Sequence, residues 1–374
     1  MRLKKILFIC GSLEPGRDGV GDYAREVAGA INSRGIEARI ISIKDRSVAG
    51  VLKEKQWSGE QDISVLRLSE SLPYKIRKNE YEKFVSEFNP QWISLQYVPY
   101  AFSSKGIPLQ LYRFLKIKTG VKWHFMIHES YIGNNGKLKR SIVRRLQILT
   151  LNTLVKNFNP LVIHTTIPSY QSLLRDIGIE SEILGLFGNI PITENFSNDN
   201  NDEIFRGVYF GAPPKEENFE FFINGINQYL HKRDDSMELV LCGQSGKLGK
   251  VFATALRAGI KSQRFDLIEK GRMAADDLSN LFLKMDFGIA RISPHLLGKS
   301  GSAIAMLEHG LPLWIPLAKS QDEIHESFDF RLDQCFFDLS ELQLSKQSFQ
   351  PGSRIEDIVN SFINGLIQND DIAV

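Results

Sequence analysis

Short apolar runs alternate with longer amphipathic segments along most of the chain. Runs rich in β-branched and aromatic residues, typical of buried strands, occur at "ILFIC", "ARIISI", "ISVLRL", "WISLQYV", "VKWHFMIH" and "LVIHTT". Helix-like segments lie between several of them, such as Gly19 to Arg34, closed by Gly35, and Tyr74 to Phe88, closed by Asn89-Pro90. Strands that alternate with helices predict a parallel sheet covered on both faces.

The alternation stops once and then starts again. The stretch "NIPITENFSNDNNDE" is polar and turn-forming, which is typical of a linker. The second series has strand-like runs at "FRGVYFG", "MELVLCG", "RFDLIEKG", "MDFGIAR" and "LPLWIP", with helix-like segments near 216–229, 248–258, 275–284 and 301–309. We therefore predict a first domain at 1–190, a linker at 191–203, a second domain at 204–350, and a C-terminal helix within 351–374 that packs back on the first domain.

Composition narrows the functional classes. The 374 residues, 43% hydrophobic and 24% charged, suffice for two ordinary globular domains. A formal net charge of +2 gives no global field of the kind that marks a nucleic-acid binder. The three cysteines are far apart and lack metal-ligand spacing, which is usual where thiols stay reduced. No stretch reaches the roughly 18 apolar residues of a membrane span. We expect a cytoplasmic protein without a metal site.

A glycine-rich loop, "GSLEPGRDGVGDYA", follows the first strand. Its inner "GVGDYA", with Gly19, Val20, Gly21 and Asp22, matches the dinucleotide fingerprint G-x-G-x-x-A. Asp45 ends the second strand, where an NAD enzyme keeps a ribose-binding acid. Gly19 comes nine residues after Cys10, however, whereas a dinucleotide fold has its first glycine directly after the strand. The loop is expected to bind an acceptor or a phosphate, and an NAD dehydrogenase is the weakest alternative.

The second half contains a strand-loop-helix pattern, "DFGIARISPHLLGKSGSAIAMLEHGLPLWIP". The loop brings Lys299 and Ser300 to a short helix that begins near Gly301 and Ser302. Peptide N–H groups at a helix start can hold a diphosphate, with the lysine as a point charge beside them. Glu308 follows about two turns later, where a carboxylate could accept hydrogen bonds from ribose hydroxyls.

With these motifs the sequence resembles the GT-B fold glycosyltransferases, in particular family 4 of the retaining enzymes. The resemblance runs in order through the glycine loop, "MIHES" with His128, "VYFGAPPKEEN", "LVLCGQSG", "IEKGRMAADDLSNLFLKMDFGIA" and "MLEHGLPLW". It implies two doubly wound, Rossmann-like domains that face each other across a cleft. The acceptor would bind to the first domain and the nucleotide sugar to the second.

The resemblance also implies site residues. Catalytic roles fall on His128, Lys215, Lys299 and Glu308, and donor-binding roles on Gly211, Gly243, Arg272, Arg291, Ser300, Gly301 and Ser302. Family members commonly carry a glutamate where this chain has Ser300. Lysines, with Arg291 as a further candidate, would neutralise the leaving diphosphate, so no metal or other cofactor is expected. The resemblance implies a retaining transfer in glycan or exopolysaccharide synthesis, and Ser300 leaves an inverting transfer open.

A basic segment at 136–158 bears on the acceptor. It carries Lys137, Lys139, Arg140, Arg144, Arg145 and Lys156, interleaved with apolar residues and without an acid. Such a helix can lie on an anionic membrane surface, which would suit a lipid-linked saccharide acceptor. The alternative is a core helix with a solvated basic face.

Two further functions stay open. A sugar-nucleotide epimerase of the same fold would turn over without an acceptor. A catalytically degenerate member would bind a nucleotide sugar or a glycan without reaction, which the serine at position 300 favours.

Overall fold

The computed structural model describes residues 3–117, 120–131, 138–193, 204–243, 246–327, 330–344 and 349–372. The chain divides into two compact units. Unit 1 comprises Met1–Gly185 and Ile355–Val374, and unit 2 comprises Leu186–Arg354. Most of the stretch predicted as a linker, 194–203, lies outside the described residues.

Unit 1 is built on an eight-stranded sheet with the order β3-β4-β2-β1-β5-β6-β7-β8. Its elements up to β8 are β1 (Lys5–Cys10), α1 (Gly19–Asn32), β2 (Glu37–Asp45), β3 (Val51–Ser58), β4 (Gln61–Ser69), α2 (Tyr74–Phe88), β5 (Trp92–Tyr97), α3 (Pro99–Phe102), α4 (Leu111–Leu115), β6 (Lys122–Ile127), α5 (Leu138–Phe158), β7 (Val162–Thr165), α6 (Pro168–Arg175) and β8 (Glu182–Ile183). Neighbouring strands pair in parallel except β3 and β4, which form an antiparallel hairpin.

Unit 2 has a six-stranded parallel sheet with the order β11-β10-β9-β12-β13-β14. Its elements are β9 (Ile204–Phe210), α7 (Phe219–Lys232), β10 (Ser236–Cys242), α8 (Gly246–Gly259), β11 (Phe265–Gly271), α9 (Ala275–Leu283), β12 (Phe287–Ile289), α10 (Gly301–Glu308), β13 (Leu313–Trp314), α11 (Gln321–Ser327), β14 (Cys335–Phe336) and α12 (Leu339–Leu344). Short 3-10 turns at Glu216–Asn218, Pro294–Lys299 and Leu332–Gln334 connect some of them. The predicted α/β class is confirmed.

The last helix, α13 (Ile355–Ile372), belongs to unit 1. Phe362 packs against Phe8 of β1 with 5.8 Å between ring centroids. Val359 and Leu366 are also buried, so one face of α13 completes the core beside β1 and β7.

Aliphatic and aromatic side chains fill the core of each unit. In unit 1, β1 and β5 are buried on both faces, as expected of central strands between two layers of helices.

The hydrophobic pattern did not predict β3, because its charged and partly buried residues resemble a surface loop. The hairpin that β3 forms with β4 carries Gln56 and Arg67, which form hydrogen bonds with residues beside the glycine loop.

Candidate functional site

The glycine loop of unit 1 joins β1 to α1 and is fixed by the protein's own carboxylates. Asp18 caps α1 by accepting a 2.7 Å hydrogen bond from the Gly21 amide. The next acid, Asp22, accepts from the Gly16 amide at 3.0 Å and from Arg25 Nη1 at 2.7 Å. Burial raises the pKa of Asp18. Two acids therefore accept the hydrogen bonds of loop amides that a phosphate could otherwise use, and the ligand of this loop stays a prediction.

The spacing of the glycines has a packing cause. A side chain at Gly21 would bring its Cβ to 2.8 Å from the Ser12 carbonyl oxygen. Gly19 has open space around the same position and φ in the ordinary range. Of the two glycines in "GVG", only Gly21 is required by the close approach of the loop to α1.

Asp45 is occupied by partners inside unit 1. Its fully buried carboxylate accepts from Arg67 Nε at 2.8 Å, from the Leu13 amide at 3.1 Å and from Ser42 Oγ at 2.9 Å. Burial would raise its pKa, but the hydrogen bonds led by that of Arg67 outweigh it, so the pKa of Asp45 lies below its ordinary value. A carboxylate with these partners is not available to bind a ribose, so Asp45 no longer supports the alternative of an NAD dehydrogenase.

The β3–β4 hairpin supplies the braces of the loop. Arg67 also reaches Glu14 Oε2 at 2.5 Å, while Gln56 of β3 accepts from Arg25 Nε at 2.8 Å and donates to the Leu13 carbonyl at 3.2 Å. The sequence did not predict these roles. An arginine in a strand can be recognised as a structural residue only when its distant partners are known, and these partners lie far away along the chain.

His128 follows β6, at the end of the sheet where the glycine loop also lies. It is 6% exposed, and its Nε2 lies 2.9 Å from Gln96 Oε1. Tyr23 of α1 meets the imidazole edge-on, with 4.9 Å between centroids. The structure therefore brings His128 and the start of α1 together.

In unit 2, two glycine turns lie back to back at the carboxyl ends of β9 and β10. Gly211 has φ +115° and Gly243 has φ +107°, a region that side chains rarely adopt. A Cβ on Gly243 would lie 2.9 Å from the Gly211 nitrogen. A Cβ on Gly211 would lie 3.6 Å from Ser302 Oγ and 4.0 Å from Arg291 Nε. Gly211, Gly243, Arg291 and Ser302 thus form one cluster.

The amino end of α10 faces this cluster through Ser302. Ser300 caps the helix, since its Oγ accepts from the Ala303 amide at 3.3 Å, and Gly301 begins it. Ser300 Oγ and Ser302 Oγ lie 3.1 Å apart. Among the described residues, Arg291 Nε is a buried donor without a hydrogen-bond partner. Donors and a positive charge therefore converge here.

The remaining predicted cations are placed differently. Lys299 ends the 3-10 turn directly before Ser300. Lys215 lies in the loop after Gly211, where its largely exposed ammonium pairs with Glu217 at 3.3 Å. Arg272 is exposed and follows Gly271, whose carbonyl accepts from the Gly243 amide. All three lie in segments that follow strands of the unit 2 sheet, and their roles toward a donor stay predictions.

Glu308 has a position that the sequence did not predict. It is 1% exposed, and its carboxylate accepts from the backbone N–H of Arg354, at 3.1 Å, and of Gly188. Burial raises its pKa, and these hydrogen bonds oppose the shift. The carboxylate thus holds the first and last segments of unit 2 against α10, and its ribose contact stays a prediction.

The basic segment begins as a helix at Leu138; Gly136 and Lys137 lie outside the described residues. Ile142, Arg145 and Leu149 are exposed along one side of α5, while Leu151 and Leu154 are buried. Arg144 lies over the Tyr131 ring at 4.9 Å.

Within the described part of the chain, no helix has the length and apolar character needed to cross a bilayer. No cluster of His, Cys, Asp or Glu in the same part could hold a metal ion.

Neither a protein-family model nor a curated protein sequence matches the chain. Solved structures do. The chain is similar to HepE of Anabaena in complex with UDP and glucose, with TM-score 0.55, 12% identity, and 98% of this chain and 100% of that one covered. It is also similar to sucrose-phosphate synthase of Thermosynechococcus elongatus, with TM-score 0.54, 13% identity, and 83% and 81% covered.

The chain has the GT-B fold. A third similar structure with this fold is the UDP-GlcNAc 2-epimerase of Methanocaldococcus jannaschii, with TM-score 0.51, 12% identity, and 97% and 100% of the two chains covered. The GT-B fold alone therefore does not decide between sugar transfer and epimerisation.

Proposed function

We propose that this GT-B protein is a glycosyltransferase. Unit 2 would bind a nucleoside diphosphate sugar, and unit 1 would bind a saccharide or lipid-linked saccharide acceptor. The observation that carries the proposal is the buried Arg291 Nε, which has no hydrogen-bond partner among the described residues and lies beside Gly211 and Ser302.

An unpaired buried donor costs about 1–3 kcal/mol, which a bound acceptor atom would recover. A diphosphate oxygen suits the position, because the guanidinium and the amino end of α10 both favour negative charge. The glycine turns at 211 and 243 have no side chains, so a ligand could approach the backbone closely.

The proposed chemistry follows from that charge. Cleavage of the glycosyl-phosphate bond leaves extra negative charge on the diphosphate, which Arg291 and Lys299 would stabilise, with Lys215 in the neighbouring loop. In a retaining transfer the departing phosphate takes the proton of the acceptor hydroxyl. His128 of unit 1 is proposed to contact the reacting group. We propose that no metal is needed.

An epimerase is the second candidate, because a UDP-GlcNAc 2-epimerase is among the similar structures over nearly the whole chain. A third candidate, a degenerate sugar-binding protein, is favoured by Ser300, which caps α10 where related transferases carry an acid.

The first test is a thermal-shift panel of UDP, GDP, ADP, dTDP, CMP and NAD, each with EDTA. A ligand at 100 times its Kd stabilises by about 2.7 kcal/mol. We expect a shift with one nucleoside diphosphate. A shift with NAD alone, or with no nucleotide, would overturn the proposed donor site.

A second assay follows consumption of the matching sugar nucleotide with and without saccharide acceptors. Acceptor-dependent release of the diphosphate supports transfer. Conversion of the sugar without an acceptor supports the epimerase, and binding without either reaction supports the degenerate protein.

A further inference from the structure

A line of hydrogen-bonded polar side chains crosses the interior of unit 1, from His128 to the surface at β8. Its inner members are Ser94 and Gln96 of β5, His124 of β6 and His164 of β7, all buried. The successive donor-acceptor distances are 2.9, 2.7, 2.7 and 3.0 Å. Buried polar groups linked in this way fix one another's orientation.

The line has a direction, set by the Gln96 amide. Its Oε1 can only accept, so the proton between Gln96 and His128 belongs to His128 Nε2. Its Nε2 can only donate, and it donates to Ser94 Oγ. The Ser94 hydroxyl hydrogen is then available for His124 Nδ1, which lies 2.7 Å away and would accept it.

The two inner histidines continue the same direction. His124 Nε2 keeps the ring proton and donates to His164 Nδ1 at 3.0 Å. His164 Nε2 therefore carries its own proton, and it lies 3.7 Å from the exposed carboxylate Oε2 of Glu182. Burial lowers the pKa of His124 well below its ordinary value and that of His164 to about 4, so both rings are neutral near pH 7.

Helix α13 closes this interior. Phe362 meets the His124 ring edge-on at 4.9 Å, and a Cβ on Gly365 would lie 3.4 Å from His164 Cε1. A dry setting makes each hydrogen bond in the line costly to break, so the direction is strongly specified.

We propose that this line sets the tautomer of His128, with the proton on Nε2 and the lone pair on Nδ1, and that Gln96 is a positioning residue for His128 during sugar transfer. The tautomer follows from the geometry of unit 1. Its part in the reaction rests on the proposed function.

The test is the tautomeric state of each ring, measured by 15N shifts of histidine-labelled protein near pH 7. The signals are assigned with variants that each lack one histidine. We expect the Nε2–H tautomer at His128, His124 and His164. An Nδ1–H tautomer at any of the three in the unsubstituted protein would overturn the direction of the line.

The decisive variant is Gln96→Glu. The introduced carboxylate accepts from both sides, so Ser94 turns to donate to it and must then accept from His124 Nδ1. We expect His124 and His164 to switch to Nδ1–H tautomers while His128 keeps Nε2–H. Gln110→Glu, at an exposed residue of unit 1, adds the same charge and should leave all three unchanged. Unchanged tautomers in folded Gln96→Glu at a pH where the introduced carboxyl is ionised would overturn the proposal, because a protonated carboxyl could donate to Ser94 as the amide does.

The role in transfer is tested with Gln96→Leu, which removes the acceptor for His128 Nε2. We expect kcat to fall about tenfold with the donor KM unchanged, the effect of losing a group that orients a functional histidine. An unchanged kcat in an active enzyme would overturn the positioning role. If the unsubstituted protein has no turnover, the proposed function fails, and the NMR result still decides the tautomer.

Discussion

Charged side chains at the carboxyl ends of the two sheets differ in whether they have partners within their own unit. In unit 1, Asp45 is held by Arg67, and Asp22 by Arg25, so these carboxylates beside the glycine loop are engaged by arginines of the same unit. In unit 2, the glycine turns and the amino end of α10 lie beside Arg291, whose Nε has no hydrogen-bond partner among the described residues. The difference teaches that the carboxylates beside the glycine loop already have partners, whereas the buried Arg291 Nε, with no hydrogen-bond partner among the described residues, suits a negatively charged ligand atom.

Removing the ion-pair partner of the buried Asp45 in unit 1 should have the largest effect, a loss of unfolding free energy. Arg67→Met leaves the buried Asp45 carboxylate without its ion-pair partner, and loss of one partner of a buried pair costs about 3–5 kcal/mol. The free energy of unfolding in urea measures this change. The control is Arg46→Met, which removes an exposed arginine paired with Glu70 and should cost less than about 1 kcal/mol. Equal losses of unfolding free energy in the two variants would show that the buried Arg67 pair contributes no more to stability than the exposed Arg46 pair.

The neutral interior of unit 1 predicts a pH dependence. Because the folded pKa of His164, about 4, lies below the ordinary 6.5, the unfolded chain takes up the proton first as the pH falls. Its contribution to stability is fully present above pH 6.5 and is lost as the pH falls towards 4, by on the order of 3 kcal/mol.

His164→Gln keeps an acceptor for His124 and removes this titration. The slope of unfolding free energy against pH between 6.5 and 4 should become shallower in the variant, as measured by urea unfolding at several pH values. Parallel curves would mean that His164 is not held neutral by burial.

Removing Arg291 of unit 2 should act on binding instead of stability. Arg291→Met is expected to weaken binding of the nucleoside diphosphate by about 1.5–3 kcal/mol, roughly 10- to 150-fold in Kd, the range for hydrogen bonds to charged groups. Calorimetric titration measures it. Arg257→Met, at an exposed residue that pairs with Glu269, is the matched control. Equal affinities in the two variants would remove Arg291 from the site.

The smallest effect concerns the exposed side of α5. Arg145→Ser should weaken adsorption to vesicles containing anionic lipid by about 1 kcal/mol, roughly fivefold in the partition coefficient. Cosedimentation measures it, and vesicles of neutral lipid should show no difference between the variant and the unsubstituted protein. Adsorption that is unaffected on anionic vesicles would favour a merely solvated basic face.

Local pattern was enough to predict most strands and helices. It predicted α2 at Tyr74–Phe88, which ends where Asn89 adopts a left-handed conformation. The family resemblance, and not the local pattern, indicated Gly211 and Gly243, which lie together in unit 2. Local pattern could not predict the partners of Arg67, which lie 13 to 53 positions away, or the backbone donor of Glu308 that lies 46 residues later. Such contacts depend on tertiary packing, which hydrophobic periodicity does not encode.

The place of α13 in the chain imposes an order on synthesis. A ribosome makes the strands of the unit 1 sheet first and α13 only after all of unit 2, yet Phe362 and Gly365 cover His124 and His164. During translation the imidazole pair therefore lacks this cover while unit 2 emerges. The unit whose strands are made first is completed last, and in a nascent chain arrested before residue 355 the burial that α13 contributes cannot lower the pKa of the two histidines.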